Sequence, residues 1–117
     1  EPVDPKHFRQ VMSQFVTGVT VVTAGGASDM HGMTCNSFAS VSSHPPSISV
    51  CLTTATRTAR LVESGRVFVV NVLGRDQQHL ADRFAGRHAA FEANRFEGIA
   101  WQAGALGVAL LGDAKAH

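Results

Sequence analysis

The sequence predicts a mainly β fold with inserted helices, an antiparallel barrel decorated by helices. Three observations point there. The candidate strands arrive as hairpin pairs with helices between them, not as the regular strand–helix–strand alternation of a doubly wound parallel sheet. The length of 117 residues and the 44% hydrophobic content fit one globular domain, residues 1–117, with a single core. That length is short for a barrel to close on its own residues, so open edges call for further sequence or a second copy of the chain.

The elements follow in order. Asp4 and Pro5 read as the N-cap and first residue of a helix. Phe8, Val11, Met12, Phe15 and Val16 form its apolar face, and Thr17–Gly18 break it. The β-branched run "VTVVTA" (19–24) predicts a buried strand, and "GGASD" (25–29) a turn. "GMTCNSFASVS" (32–42) alternates as one long strand, ended by "HPP" (44–46). "SISVCLT" (47–53) is expected to pair with it as a hairpin about Ser43, which would set Cys35 directly opposite Cys51. Residues 54–65 predict a short helix closing on Gly65, and "RVFVVNVL" (66–73) a strand. Asp76 is expected to cap a further helix carrying Gln77, Leu80, Ala81 and Phe84 on one side, with Gly86 as its stop. Residues 87–107 read as irregular, and 108–117 begin a strand or turn.

Composition excludes several classes of function. The net charge is +1, with no Lys/Arg cluster and no interleaved aromatics, which argues against nucleic acid. Apolar runs fall short of the ~20 residues of a membrane span, and no charged-then-apolar signal opens the chain. Two cysteines without a CxxC motif do not make a disulfide framework. They are expected to be reduced, with the cytoplasm as the compartment.

Motif searches are mostly negative. No GxGxxG or GxSxG occurs, and "GVALLGDA" carries Asp113 where a phosphate loop needs lysine. The six histidines form no HxH or HxxxH pair, so no metal site is expected and each reads as a solvated surface group. Nothing specific supports Cys35 as a nucleophile. Two features remain. Thr34, Asn36 and Ser37 offer neutral donors and acceptors suited to a flat heteroaromatic ring. The "TTATRT" entry to the second helix gathers Thr53, Thr54, Thr56, Arg57 and Thr58 where backbone N–H groups are free, a place for a phosphate. The plainer reading of these threonines is helix capping. Together the two features suggest a mononucleotide such as FMN.

The blocks "FRQVMSQFVTGVTVVTA", "GMTCNSFASVSSHPPSISVCL" and "TRTARLVESGRVFVVNVLGRDQQHLADRFAG" resemble the flavin reductase-like family. Its members are small NAD(P)H:flavin oxidoreductases that act as reductase components of two-component monooxygenases. The likeness runs from Asp4 to about Phe96 and continues more loosely through "FEGIAW" and "GVALLGDAKAH". It implies an FMN-binding split β-barrel and a homodimer, with hydride passing from NADH or NADPH to FMN or FAD and reduced flavin supplied to a flavin-dependent monooxygenase. Carried over by position, Thr34, Cys35, Asn36 and Ser37 would contact the flavin ring and ribityl chain, with Cys51, Leu52 and Thr53 lining the ring. Arg57 and Thr58 would hold the phosphate, and Phe84 would pack nearby. No catalytic side chain is implied, because the flavin is itself the electron sink. Family members continue past the position of His117 into strands with a Gly-Asp-His stretch associated with nicotinamide. The chain is therefore expected to be truncated at its C-terminus, and His117 is not that histidine. The alternatives are another split-barrel flavoprotein, such as an oxidase, and a non-catalytic flavin-binding or dimerisation module.

Overall fold

The computed structural model describes residues 2–117. In chain order its elements are α1 (Pro5–Met12), β1 (Thr20–Ala24), β2 (His31–Cys35), β3 (Ala39–Ser43), β4 (Pro46–Ser49), α2 (Arg57–Gly65), β5 (Val69–Val72), α3 (Gln78–Phe84), β6 (Trp101–Ala103) and β7 (Ala109–Leu111). One 3-10 turn, Ala89–Phe91, follows α3. The fold is mainly β with a few helices.

β1 is the spine, buried at all five positions. It lies between β2 and β5 in an antiparallel sheet of order β2–β1–β5. Because side chains alternate along a strand, the register divides the sheet into two faces. Val21, Thr34 and Asn71 share one face, and Val22, Met33 and Val70 the other. On the first, Val21 joins Leu80 and Phe84 of α3, Phe96, Ala109 and Leu111 in the larger core. On the second, Val22, Cys35 and Val70 pack with Val50, Leu52 and Phe68. The β3–β4 and β6–β7 hairpins are separate two-stranded ribbons.

One buried side chain joins these parts. Asn71 of β5 is 0% exposed. Its Nδ2 donates to the Val21 carbonyl (2.9 Å) and to Thr23 Oγ1 (3.2 Å), and its Oδ1 accepts from the Leu111 amide (2.9 Å). Thr23 Oγ1 in turn donates to the Ala109 carbonyl at 2.7 Å. The β6–β7 hairpin is thus bonded to the sheet through side chains as well as packed on it.

Several expectations change. The first helix ends at Met12, not Val16: the Ser13 hydroxyl competes for the Gln10 carbonyl (2.7 Å) and the next residues form tighter turns. Its apolar face is exposed, with Phe8 and Val11 each 56% accessible. The long strand 32–42 is two strands interrupted at 36–38, because β2 pairs with β1 whereas β3 pairs with β4. The hairpin turns at His44–Pro45, with Ser43 opposite Pro46 and a register shift at Val41, so its register differs from the one centred on Ser43. Cys35 pairs with Thr20 in the ladder and is not directly opposite Cys51, but it remains beside it, its Sγ 3.9 Å from the Cys51 carbonyl. Ser37 makes the closer link: its Oγ accepts from the Cys51 amide (3.1 Å) and donates to the Cys51 carbonyl (2.8 Å). Both cysteines are free thiols. α3 is preceded by Gln77 rather than by a capping Asp76. Gln77 turns its side chain inward, accepting from the Gly74 amide (2.7 Å) and donating to the Asp113 carbonyl (2.6 Å). β5 is four residues long, and β6 lies in the stretch expected to be irregular. Among the described residues no helix is long and apolar enough to cross a membrane.

Replacing Asn71 with Ala strands the buried Leu111 amide and removes the bonds to Val21 and Thr23. It should lower stability by about 2–3 kcal/mol, read from the shift in urea midpoint. A loss of about 0.5 kcal/mol or less, the size of an ordinary surface change, would mean that the hairpin docks without it.

Candidate functional site

Among the described residues β2 has a ladder partner on one side only, since the sheet ends with it. Along this free edge runs a cleft of about 470 Å3, within the roughly 300–1,000 Å3 usual for small-molecule sites. β2 supplies His31, Met33 and Thr34, the start of α2 supplies Thr56, Arg57 and Thr58, and Phe84, Glu92 and Arg95 complete the lining.

The α2 end is built for helix initiation. Thr56 is the N-cap; its hydroxyl oxygen accepts from the Ala59 amide (3.2 Å) and its proton goes to the Thr53 carbonyl (2.7 Å). The amides of Arg57 and Thr58, in the first turn, have no partner within the helix. Arg57 projects from this turn and pairs with Asp29 at 2.7 Å, both side chains about half exposed.

Arg95 closes the α3 end. One guanidinium nitrogen donates to the carbonyls of Gly32 (2.9 Å) and Phe84 (3.0 Å), and another pairs with Glu92 (2.8 Å). The Arg95 Nε is buried and has no hydrogen-bond partner among the described residues. Gly32 is required here, because a Cβ would stand 2.9 Å from a ring carbon of Phe84. Phe84 is itself fully buried and packs edge-on against Phe96, ring centroids 5.1 Å apart.

His31 stands between the two arginines. Its Nδ1 lies 2.7 Å from Thr58 Oγ1, and Thr58 is 0% exposed. Burial first, then the Arg95 and Arg57 charges, lowers the His31 pKa from the ordinary 6.5 to about 4. The imidazole is therefore neutral at pH 7.

Thr34, Arg57, Thr58 and Phe84 line this one cleft. Phe84 and Thr58 are buried wall, and the Thr34 hydroxyl donates to the Ala81 carbonyl of α3 at 2.5 Å. Cys35, Ser37 and Cys51 form a neighbouring cluster, with Cys35 Sγ 3.0 Å from Ser37 Oγ. Leu52 packs in the second core, Thr53 abuts the α2 cap through its carbonyl, and Asn36 is exposed. Sequence reasoning missed His31, Met33, Glu92 and Arg95. Strand alternation could have put His31 and Met33 on the α2-facing side with Cys35, but nothing local links Arg95 to Gly32, 63 residues away. A second cavity of about 410 Å3 shares Thr34 and is lined by Val19, Leu73 and residues of α3.

The fold is a mainly β domain with a candidate small-molecule cleft along an open strand edge. The chain belongs to the family described as flavin reductase like domain, whose model matches residues 12–117. The reductase subunit HsaB of a flavin-dependent monooxygenase from Rhodococcus jostii is 38% identical over all of this chain and 58% of its own length. BorF, the flavin reductase component of a bacterial two-component tryptophan halogenase, superposes with TM-score 0.83 and 40% identity over 95% of this chain and 69% of its own. The NADH:FAD oxidoreductase SgcE6 of Streptomyces globisporus, solved with NAD and FAD fragments, gives TM-score 0.74 and 35% identity, covering 97% and 68%. The chain spans less than two thirds of the length of HsaB-type relatives, 58% and 59% in two of them.

The depressed His31 pKa has a consequence for stability. The unfolded chain protonates this group near 6.5 and the folded protein near 4, so between those values the unfolded state binds more protons. Stability is full above pH 6.5 and declines as pH falls toward 4. His31→Asn should flatten that decline in urea midpoints measured from pH 7 to 4; an unchanged slope would assign the acid sensitivity to other groups.

Proposed function

We propose that the chain is the flavin-binding part of an NAD(P)H:flavin oxidoreductase that transfers hydride to FMN or FAD and supplies reduced flavin to a partner monooxygenase. The observation that carries this reading is the cleft itself: a free strand edge with neutral polar groups, running to a helix N-terminus that presents Arg57. Such a donor set fits a flat ring with C=O and N–H edges joined to a phosphate. Its titratable groups are engaged, Glu92 by Arg95 and His31 by Thr58, and a flavin reductase requires no free acid–base pair.

In this reading the segment 34–37, with Cys51, Leu52 and Thr53, faces the ring and ribityl chain, and the first turn of α2 with Arg57 receives the phosphate. Thr58 contributes through its backbone, since its hydroxyl is engaged by His31. Phe84 backs the cleft wall behind Gly32. When bound, the flavin supplies the electron sink for a hydride from the nicotinamide. The chain's own work is to orient: β2 and α2 hold the two ends of the ligand, and the Phe84–Phe96 wall keeps water from the buried side. Arg57 must share or leave Asp29 to meet an anion, which keeps affinity moderate, as suits a flavin that is passed on.

The finer architecture is an FMN-binding split barrel working as a homodimer. Support for a second copy comes from the exposed apolar side chains of Phe8, Val11, Met12, Phe15 and Val16 and of Val41 and Ile48 in the β3–β4 hairpin. A monomer leaves that much apolar surface wet only at a cost in solubility. NADH as donor follows from relatives such as the NADH-dependent FAD reductase of Streptomyces globisporus.

The protein mixed with NADH or NADPH and excess FMN or FAD should oxidise the nicotinamide in a flavin-dependent manner, followed by its absorbance. No oxidation of either donor with either flavin would reject the assignment. Arg57→Ala should weaken FMN by about 1.5–3 kcal/mol and leave riboflavin, which lacks the phosphate, unchanged. Equal losses for both ligands would move the anion away from α2.

A further inference from the structure

We propose that His31 is a positioning residue for the phosphate end of the cleft, locking the first turn of α2 to the free-edge strand β2 through Thr58. The inference rests on the reading that this end receives an anion. Neither His31 nor Met33 beside it was among the residues that sequence pattern or family likeness selected.

The geometry is specific. Among the described residues, the 2.7 Å contact between His31 Nδ1 and Thr58 Oγ1 is the one side-chain hydrogen bond joining β2 to α2. Thr58 is the second residue of α2 and is wholly buried in the cleft wall, its hydroxyl engaged by His31 of the strand. Thr56 already caps the same turn through the Ala59 amide. The turn is therefore held by Thr56 from within the helix and by His31 from the sheet, besides the half-exposed Arg57–Asp29 pair. What stays available to a ligand is the amides of Arg57 and Thr58 and the Arg57 guanidinium. His31 is anchored in its turn by β1, where it pairs with Ala24 in the ladder. A displacement of the imidazole would move the anion-binding amides relative to the strand that carries Thr34.

The charges around His31 suit this role. Arg57 acts on it from the start of α2, Asp29 from the β1–β2 turn, and Arg95 and Glu92 from the stretch that follows the 3-10 turn. Held neutral by burial and by the two arginines, the ring adds no third positive charge that would push Arg57 aside. A bound phosphate offsets those arginines, so it should raise the pKa of His31, whereas a ligand without phosphate should not.

The test measures dissociation constants for FMN and riboflavin by flavin fluorescence, with the full protein and its variants. His31→Leu and Thr58→Val should each weaken FMN about fivefold to tenfold, the size of one lost neutral hydrogen bond. Riboflavin should be unaffected, and the double variant should be no worse than either single one. His31→Asn, whose amide nitrogen can stand near Nδ1, should recover most of the loss. By NMR, the His31 resonance should titrate near pH 4 without ligand and at higher pH with FMN but not with riboflavin. Additive losses, equal losses for both ligands, or a His31 titration indifferent to FMN would each overturn the proposal. If His31→Leu does not fold, Thr58→Val, which removes only the hydroxyl, decides the binding comparison. Arg57→Ala separates the two levels: if it discriminates FMN from riboflavin while the His31 and Thr58 variants do not, the positioning role fails and the anion site stands. If Arg57→Ala also fails to discriminate, the anion site itself is misplaced and both readings fall.

Discussion

The buried Asn71 carboxamide is the interaction on which most of this structure depends. A polar side chain with no access to water must find partners for its donors and acceptor inside the protein, and Asn71 of β5 finds three of them, on two other elements. It bonds the Val21 carbonyl and Thr23 hydroxyl of β1 and the Leu111 amide of β7. The hairpin so held completes the larger core, in which Phe96, Ala109 and Leu111 meet Phe84. Phe84 then presses on Gly32, and that contact sets how close α3 can come to the free edge of β2. The path from the centre of the sheet to the wall of the cleft is continuous packing.

An unpaired strand edge is ordinarily a liability, open to association with another chain. Here the edge of β2 is managed unevenly. Arg95 takes the Gly32 carbonyl, and Thr34 is tied through its hydroxyl to α3. Between those anchors and the start of α2 the edge is left as the floor of a cleft. The same open edge that a stability argument would cover is what a planar ligand with its own donors and acceptors requires.

Charge is distributed about this cleft in opposed pairs. Arg57 meets Asp29 and Arg95 meets Glu92. The two pairs differ in freedom. Arg57 is half exposed and held by one carboxylate, while Arg95 is bound to two backbone carbonyls besides its acid. Only the first can reorient toward a ligand without dismantling the fold. His31, between them and uncharged, transmits position rather than charge.

The sequence by itself determined the helices and most of the strands, the buried strand within "VTVVTA", the α1 cap at Asp4 with Pro5, and the family, because alternation, capping chemistry and motif order are local properties of the chain. It also picked out Thr34, Arg57, Thr58 and Phe84, which the fold gathers around one cleft. Tertiary structure alone decided that 32–42 divides between two sheets, that Ser37 bridges to the Cys51 backbone beside Cys35, and that Gln77 turns inward. It alone brought Arg95 to Gly32 and His31 to Thr58. Those outcomes depend on which surfaces bury one another across long stretches of chain. A polar residue's role follows from the partner that packing delivers to it, and that partner is not written in its neighbours.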